Sequence, residues 1–160
     1  MHKADIEKLE DFIINYEKYK KDLKFRELEL EDTVKETIPQ SKVNNDLQDP
    51  RTIRASSNTS TVETKVTKLH ADPKYQMLYS IVCGVPKFLN SCNKVERFII
   101  EYRYHEKDLT FCYDWEDIAY QLNIILKEDN KDKTISKTTV LRSRNNMLER
   151  LADHVGYPLI

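Results

Sequence analysis

Apolar residues along this chain recur at helical spacing almost from end to end. In KADIEKLEDFIINYEKYKKDLKFRELELE, the residues Ile6, Leu9, Phe12, Ile13, Tyr16, Tyr19, Leu23, Leu28 and Leu30 stand among alternating charges. The pattern predicts one amphipathic helix of roughly 25 to 28 residues. Its heptad register slips after Leu23, which argues against a long regular coiled coil; the apolar stripe is left with two uses, packing on its own domain or self-association. From Thr37 to Thr59 the text TIPQSKVNNDLQDPRTIRASSNT is polar, proline-bearing and without apolar periodicity, and reads as a linker or long loop.

Helix signals then resume in quick succession. Ser60 and Glu63 have capping-box spacing ahead of Val62, Val66 and Leu69, and Asp72-Pro73 is an N-cap with proline at the first helical position. Tyr75, Leu78, Val82, Val85 and Leu89 continue an apolar face, which Gly84 and Pro86 are expected to kink or split. A second capping box, Asn93 to Glu96, opens a helix through VERFIIEYRYHEK. Asp114 caps WEDIAYQLNIIL, where Trp115, Ile118, Ala119, Leu122, Ile125 and Leu126 keep 3.6-residue spacing. The charged KEDNKDK reads as a solvated loop, after which Ser136 or Thr134 caps a closing helix. Four parts result: an N-terminal amphipathic helix at 1–36, a linker or long loop at 37–59, connecting helices at 60–92 and a closing helical unit at 93–160.

Composition fits that reading and narrows the function. With 160 residues, 2 glycines and 33% charged side chains, the chain is expected to be all-α and soluble, one small domain with appendages. No apolar run approaches the roughly 20 residues that a membrane span needs. MHKADIEKLEDF has acids where a signal peptide would be apolar, so a cytoplasmic protein without membrane partners is expected. Cys83, Cys92 and Cys112 are irregularly spaced and read as free thiols. Together with His105 they lack the paired spacing of a zinc site, and two glycines do not build a phosphate loop, so neither metal nor cofactor is expected. Acidic pairs such as Glu116-Asp117 fit a helix start, and no enzyme activity is expected. Tyr102, Tyr104, Tyr113 and Tyr120 suit core or rim positions better than base-stacking ones.

The formal net charge is only −1, but its distribution is uneven. Residues 1–37 hold 8 basic and 11 acidic side chains, whereas residues 131–151 hold 6 basic and 2 acidic. Positive charge gathers in TISKTTVLRSRNNMLERL, where Lys137, Arg142, Arg144, Asn145, Asn146 and Arg150 crowd together. At 100° per residue Val140, Met147, Leu148, Leu151 and Val155 share one arc, the core side. Thr138, Arg142, Asn145 and Glu149 lie opposite, and Ser136 with Lys137 stands at the helix start, where free backbone N–H groups favour phosphate. Arg144 falls on the core side and reads as snorkelling or ion-paired. Such a surface suits the major groove, arginine gripping guanine and asparagine pairing adenine. With the preceding helix behind it, Ile118, Ala119 and Leu122 against Val140 and Leu148, the pair reads as a helix-turn-helix. A merely solvated basic face is the plain alternative.

The run VERFIIEYRYHEKDLTFCYDWEDIAYQLNI followed by ISKTTVLRSRNNMLERL resembles region four of bacterial sigma factors, through D-I-A-x-x-L-x-I and then S-x-x-T-V-x-R-x-R. With upstream helices and a polar linker, the V-x-R-x-R form is similar to phage late-gene transcriptional activators of the RinA/ArpU type. Residues 93–155 carry the match. The resemblance implies promoter binding that switches on packaging and morphogenesis genes, with double-stranded DNA and bacterial RNA polymerase as partners; a homo-oligomer through the N-terminal helix is the expectation that its own apolar stripe leaves open. It puts Ser136, Lys137, Thr138, Leu141, Arg142 and Asn145 at the groove. The chain departs from the pattern between Ile118 and Val140, which stand 22 positions apart where a compact helix-turn-helix has roughly 11. A DNA-packaging recognition subunit, or an adaptor or antirepressor that binds only protein, are the alternative functions.

Overall fold

The computed structural model describes residues 1–37, 61–104, 114–128 and 134–159. Almost all of the expected linker, Ser60 of the first capping box, His105, Cys112, Tyr113 and residues 129–133 of the charged loop lie outside them. The chain is all-α, with the order α1 (Lys3–Ile14), α2 (Tyr16–Thr37), α3 (Thr61–Ala71), α4 (Pro73–Ser91), α5 (Lys94–Tyr104), α6 (Trp115–Glu128) and α7 (Lys137–Val155). Among the described residues no helix is long and apolar enough to cross a membrane.

Where the sequence predicts one N-terminal helix, the structure has two, parted at Asn15. The backbone there leaves helical geometry (φ −100°, ψ 22°), and the Asn15 side-chain amide donates to Asp11 Oδ1 at 2.6 Å. A short amide side chain competes in this way with the helical ladder. The Tyr19 hydroxyl donates to the other Asp11 oxygen, and the Phe12 and Tyr19 rings meet edge to face at 5.6 Å. Both sides of the break are thereby tied together.

The expected split of the fourth helix does not occur: α4 runs unbroken through Gly84 and Pro86. Proline has no N–H to give the carbonyl four residues back, and that carbonyl, of Val82, accepts instead from the Tyr16 hydroxyl at 3.2 Å. Gly84 serves packing. A Cβ there would lie 2.5 Å from the His154 carbonyl oxygen and 2.8 Å from Val155 Cγ1, so only glycine lets α4 and the end of α7 approach this closely.

Four helix N-termini, those of α4, α5, α6 and α7, are capped as their residues predict. Asp72 accepts from the Tyr75 N–H at 2.6 Å. Asn93 and Glu96 exchange bonds of 2.9 and 3.0 Å in the reciprocal manner of a capping box. Asp114 accepts from the N–H groups of Glu116 and Asp117, and Ser136, not Thr134, accepts from Thr139. Gly156, left-handed at φ 66°, closes α7.

One buried cluster takes Leu9, Phe12 and Ile13 from α1, Ile81, Val85 and Phe88 from α4, and Ile99, Ile100 and Tyr104 from α5. Ile118, Ala119 and Leu122 of α6 join Val140, Met147, Leu148, Leu151 and Val155 of α7 in it. The core therefore runs straight across residue 93, and the closing helical unit shares its interior with α1 and α4. Each fully buried aliphatic side chain in it contributes about 1.5–3 kcal/mol of transfer free energy. A smaller cluster of Leu23, Tyr75 and Leu78 joins α2 to α4, with Leu30, Leu69 and Val82 packed against it.

Candidate nucleic-acid interface

The apolar back of α7 fixes which way its polar side points. Val140, Met147, Leu148 and Leu151 are wholly buried, so the opposite arc faces outward. Ser136, Lys137, Thr138 and Arg142 are exposed, and Leu141 and Asn145 half-buried. Asn146 is exposed beside Arg142 on the front of α7, while Ser136 and Lys137 are exposed at the helix start.

The four cations of α7 divide sharply in use. Arg144 Nε lies 3.2 Å from Glu10 Oε1 of α1, with only 13% of its side chain exposed, and its guanidinium rests on the Trp115 ring at 5.2 Å. The ion-paired reading of Arg144 is what the structure has. Arg150 Nη2 sits 2.6 Å from the Glu96 carboxylate, which also serves the cap of α5. Lys137 donates to Glu116 at the start of α6, at 2.8 Å. Its ammonium stays charged to higher pH than usual because Glu116 bonds it. One acid from each of α1, α5 and α6 therefore holds one cation of α7 and sets its rotation. Arg142 alone has no ion-pair partner among the described residues.

These pairs change the expected electrostatics of the site. Lys137, expected to hold phosphate, is already engaged by Glu116. Around it the start of α6 is acidic, with Asp114, Glu116 and Asp117 all exposed. The Asp114 carboxyl is held below the usual carboxylate range by the Asp117 and Glu116 N–H groups it caps, then by the charges of Lys137 and Arg103. The front of α7 is instead a row of hydrogen-bonding groups, Thr138, Arg142, Asn145 and Asn146, with Arg142 its one unpaired cation among the described residues and the exposed carboxylate of Glu149 on the same face. Beside it, between α5 and α7, lies a groove of about 400 Å³ lined by Val95, Ile135, Val140, Lys94, Thr139 and Ser143.

Two positioning residues escape a reading of periodicity. Asn123 of α6 clamps the backbone before α7, its amide N–H donating to the Ile135 carbonyl at 2.7 Å and its oxygen accepting the Ile135 N–H at 2.6 Å. That clamp fixes how the chain enters α7 despite the long connection. Trp115, which the spacing assigns to the core, is a half-buried platform carrying Arg103 at 5.0 Å on one side as well as Arg144. Glu10 extends this network to α5 by accepting from the Tyr104 hydroxyl at 2.8 Å. Burial, followed by the charge of Glu10, raises the Tyr104 phenol well above its ordinary value. Only Asn123 had a local signal: an amide on an otherwise apolar helix flank.

The surroundings of Cys92 are those of a packed thiol. Cys92 is buried, and burial, with help from the Glu96 charge, pushes its thiol up to about 11, the opposite of a reactive cysteine. No group of His, Cys, Asp and Glu among the described residues is arranged to hold a metal ion. No protein-family model matches the chain, and neither characterised proteins nor solved structures gave a match.

Proposed function

We propose that the chain is a sequence-specific DNA-binding protein, with α6 and α7 acting as a helix-turn-helix and the front of α7 reading the major groove of a duplex. The resemblance to phage late-gene activators extends the proposal to activation of packaging and morphogenesis genes, with RNA polymerase as the second partner. The observation that supports the reading best is the division of the α7 cations. Three are spent on holding the helix, and the remaining guanidinium stands exposed in a row with Thr138, Asn145 and Asn146. Arginine and asparagine are the side chains that take guanine and adenine edges bidentately, each such pair worth about 1–3 kcal/mol of discrimination. Because the acidic start of α6 repels a phosphate strand, affinity in this reading comes more from base edges than from counterion release, and its dependence on salt is shallow.

Selection from a random duplex library identifies the preferred site, and titration of that site with Arg142→Ala tests the assignment. The variant is expected to lose about 1–3 kcal/mol of specific binding and to relax the preference at one base pair. Lys137→Ala is expected to weaken all sequences alike and only slightly. An unchanged footprint for Arg142→Ala on the selected site removes α7 from the groove. A chain that selects no sequence favours a protein-binding adaptor instead.

A further inference from the structure

We propose that two copies of the chain pair through the outer face of α2, antiparallel, about a two-fold axis between Phe25 and Leu28. This stands independently of the DNA-binding reading. The inner face of α2 is consumed within the chain: Tyr16 bonds the Val82 carbonyl, Leu23 packs with Tyr75 and Leu78, and Arg26 pairs with Asp72. On the opposite side Phe25 is 67% and Leu28 58% exposed. Two large apolar side chains one turn apart on the outside of a packed helix are a contact surface rather than a core.

The charges flanking that pair select the partner. On the N-terminal side the same face carries Lys21 and Lys24, and on the C-terminal side Glu29, which also pairs with Arg26 of its own helix at 2.8 Å, and Asp32, all exposed. Laid antiparallel on itself, the face complements its own image. With Phe25 of one copy opposite Leu28 of the other, Lys21 and Asp32 each stand four residues beyond the pair, so each Lys21 meets the other copy's Asp32 near the line of contact. Lys24 is brought toward the acidic end of the second copy in the same arrangement. Parallel pairing would instead set lysine against lysine and acid against acid. An isologous contact needs this self-complementarity. One helix face about 33 Å long makes a modest interface, so a dissociation constant in the micromolar range is expected.

Sedimentation analysis of the full chain at rising concentration tests the pairing. The wild type is expected to approach twice the 19.0 kDa chain mass. Phe25→Glu is expected to keep its helix content, because the side chain touches no core, and to weaken the dimer on the order of a hundredfold. Lys21→Glu and Asp32→Lys each place like charges opposite one another twice and should each weaken it on the order of tenfold. Mixed together they restore both pairs, and the heterodimer is expected to match the wild type. The proposal is overturned if the wild type stays at one chain mass up to on the order of a few hundred micromolar. It fails equally if Phe25→Glu leaves a dimer intact, or if the mixture is as weak as either variant alone.

Discussion

The cluster shared by α1, α4, α5, α6 and α7 is wide and built from fully buried aliphatic and aromatic side chains, whereas the one joining α2 and α3 to the first half of α4 is small and edged with charge. Phe88, Ile99, Ile118, Met147 and Leu148 are buried completely in the first. In the second, Leu23, Tyr75 and Leu78 suffice for contact, and direction comes from Arg26 on Asp72 and from the Tyr75 hydroxyl on Glu27. Packing that depends on area cannot be removed without a cavity; packing directed by ion pairs can be loosened by pH or salt. The candidate interface sits on the first kind, and the proposed pairing face on the second.

Breaking the larger cluster should have the largest effect. Leu148 is wholly buried between α7 and its neighbours, and Leu148→Ala is expected to cost about 2–5 kcal/mol, transfer free energy and cavity together. Because α4 belongs to both clusters, chemical denaturation followed by circular dichroism should show a single transition in which both regions are lost together. Two separated transitions would mean that α2 and α3 hold their packing on α4 without the core.

How much of this could be read in the residues depends on the range of the interaction. The caps at Asp72, Asn93, Asp114 and Ser136 are contacts over about three residues, so they stand in the sequence almost literally. The buried arc of α7 is likewise a property of one helix. The break at Asn15 is not, because a lone asparagine between Ile14 and Tyr16 leaves the apolar spacing undisturbed. Gly84 and Pro86 mislead for a related reason: their helix is kept whole by Tyr16 and by the close approach of α7, both remote in sequence. The residue choice on the front of α7 was legible from angle alone. Which cations remain for a ligand was not, since Glu10, Glu96 and Glu116 come from three other helices.

A test of intermediate size asks whether the interface depends on the core alone or also on its polar clamp. Asn123→Ala removes both bonds to the Ile135 backbone and leaves those groups half-buried and unpaired, for an expected loss of about 1–3 kcal/mol. On the selected duplex the variant is expected to bind more weakly while keeping the same base preference, because the reading side chains are intact and only their approach is loosened. A changed preference would make Asn123 a reader rather than a positioning residue.

The smallest effect expected is at the charged edge of the second cluster, and pH isolates it. The Arg26 guanidinium, bonded to Asp72, and then the Tyr75 N–H hold the Asp72 carboxyl below its ordinary value of 3.8. A carboxyl whose folded value is depressed contributes stability that is present above the unfolded value and is lost as pH falls through the folded one. Asp72→Asn keeps a side chain able to cap α4 but removes the charge facing Arg26. The wild type should therefore melt slightly higher than Asp72→Asn near neutrality, and the gap should close as pH drops below about 3.8. Raising the ionic strength at neutral pH should narrow the same gap, since the pair lies near the surface. A gap that persists at low pH would assign the contribution of Asp72 to the cap of α4 alone, and would leave α2 held on α4 by Leu23, Tyr75 and Leu78 without electrostatic direction.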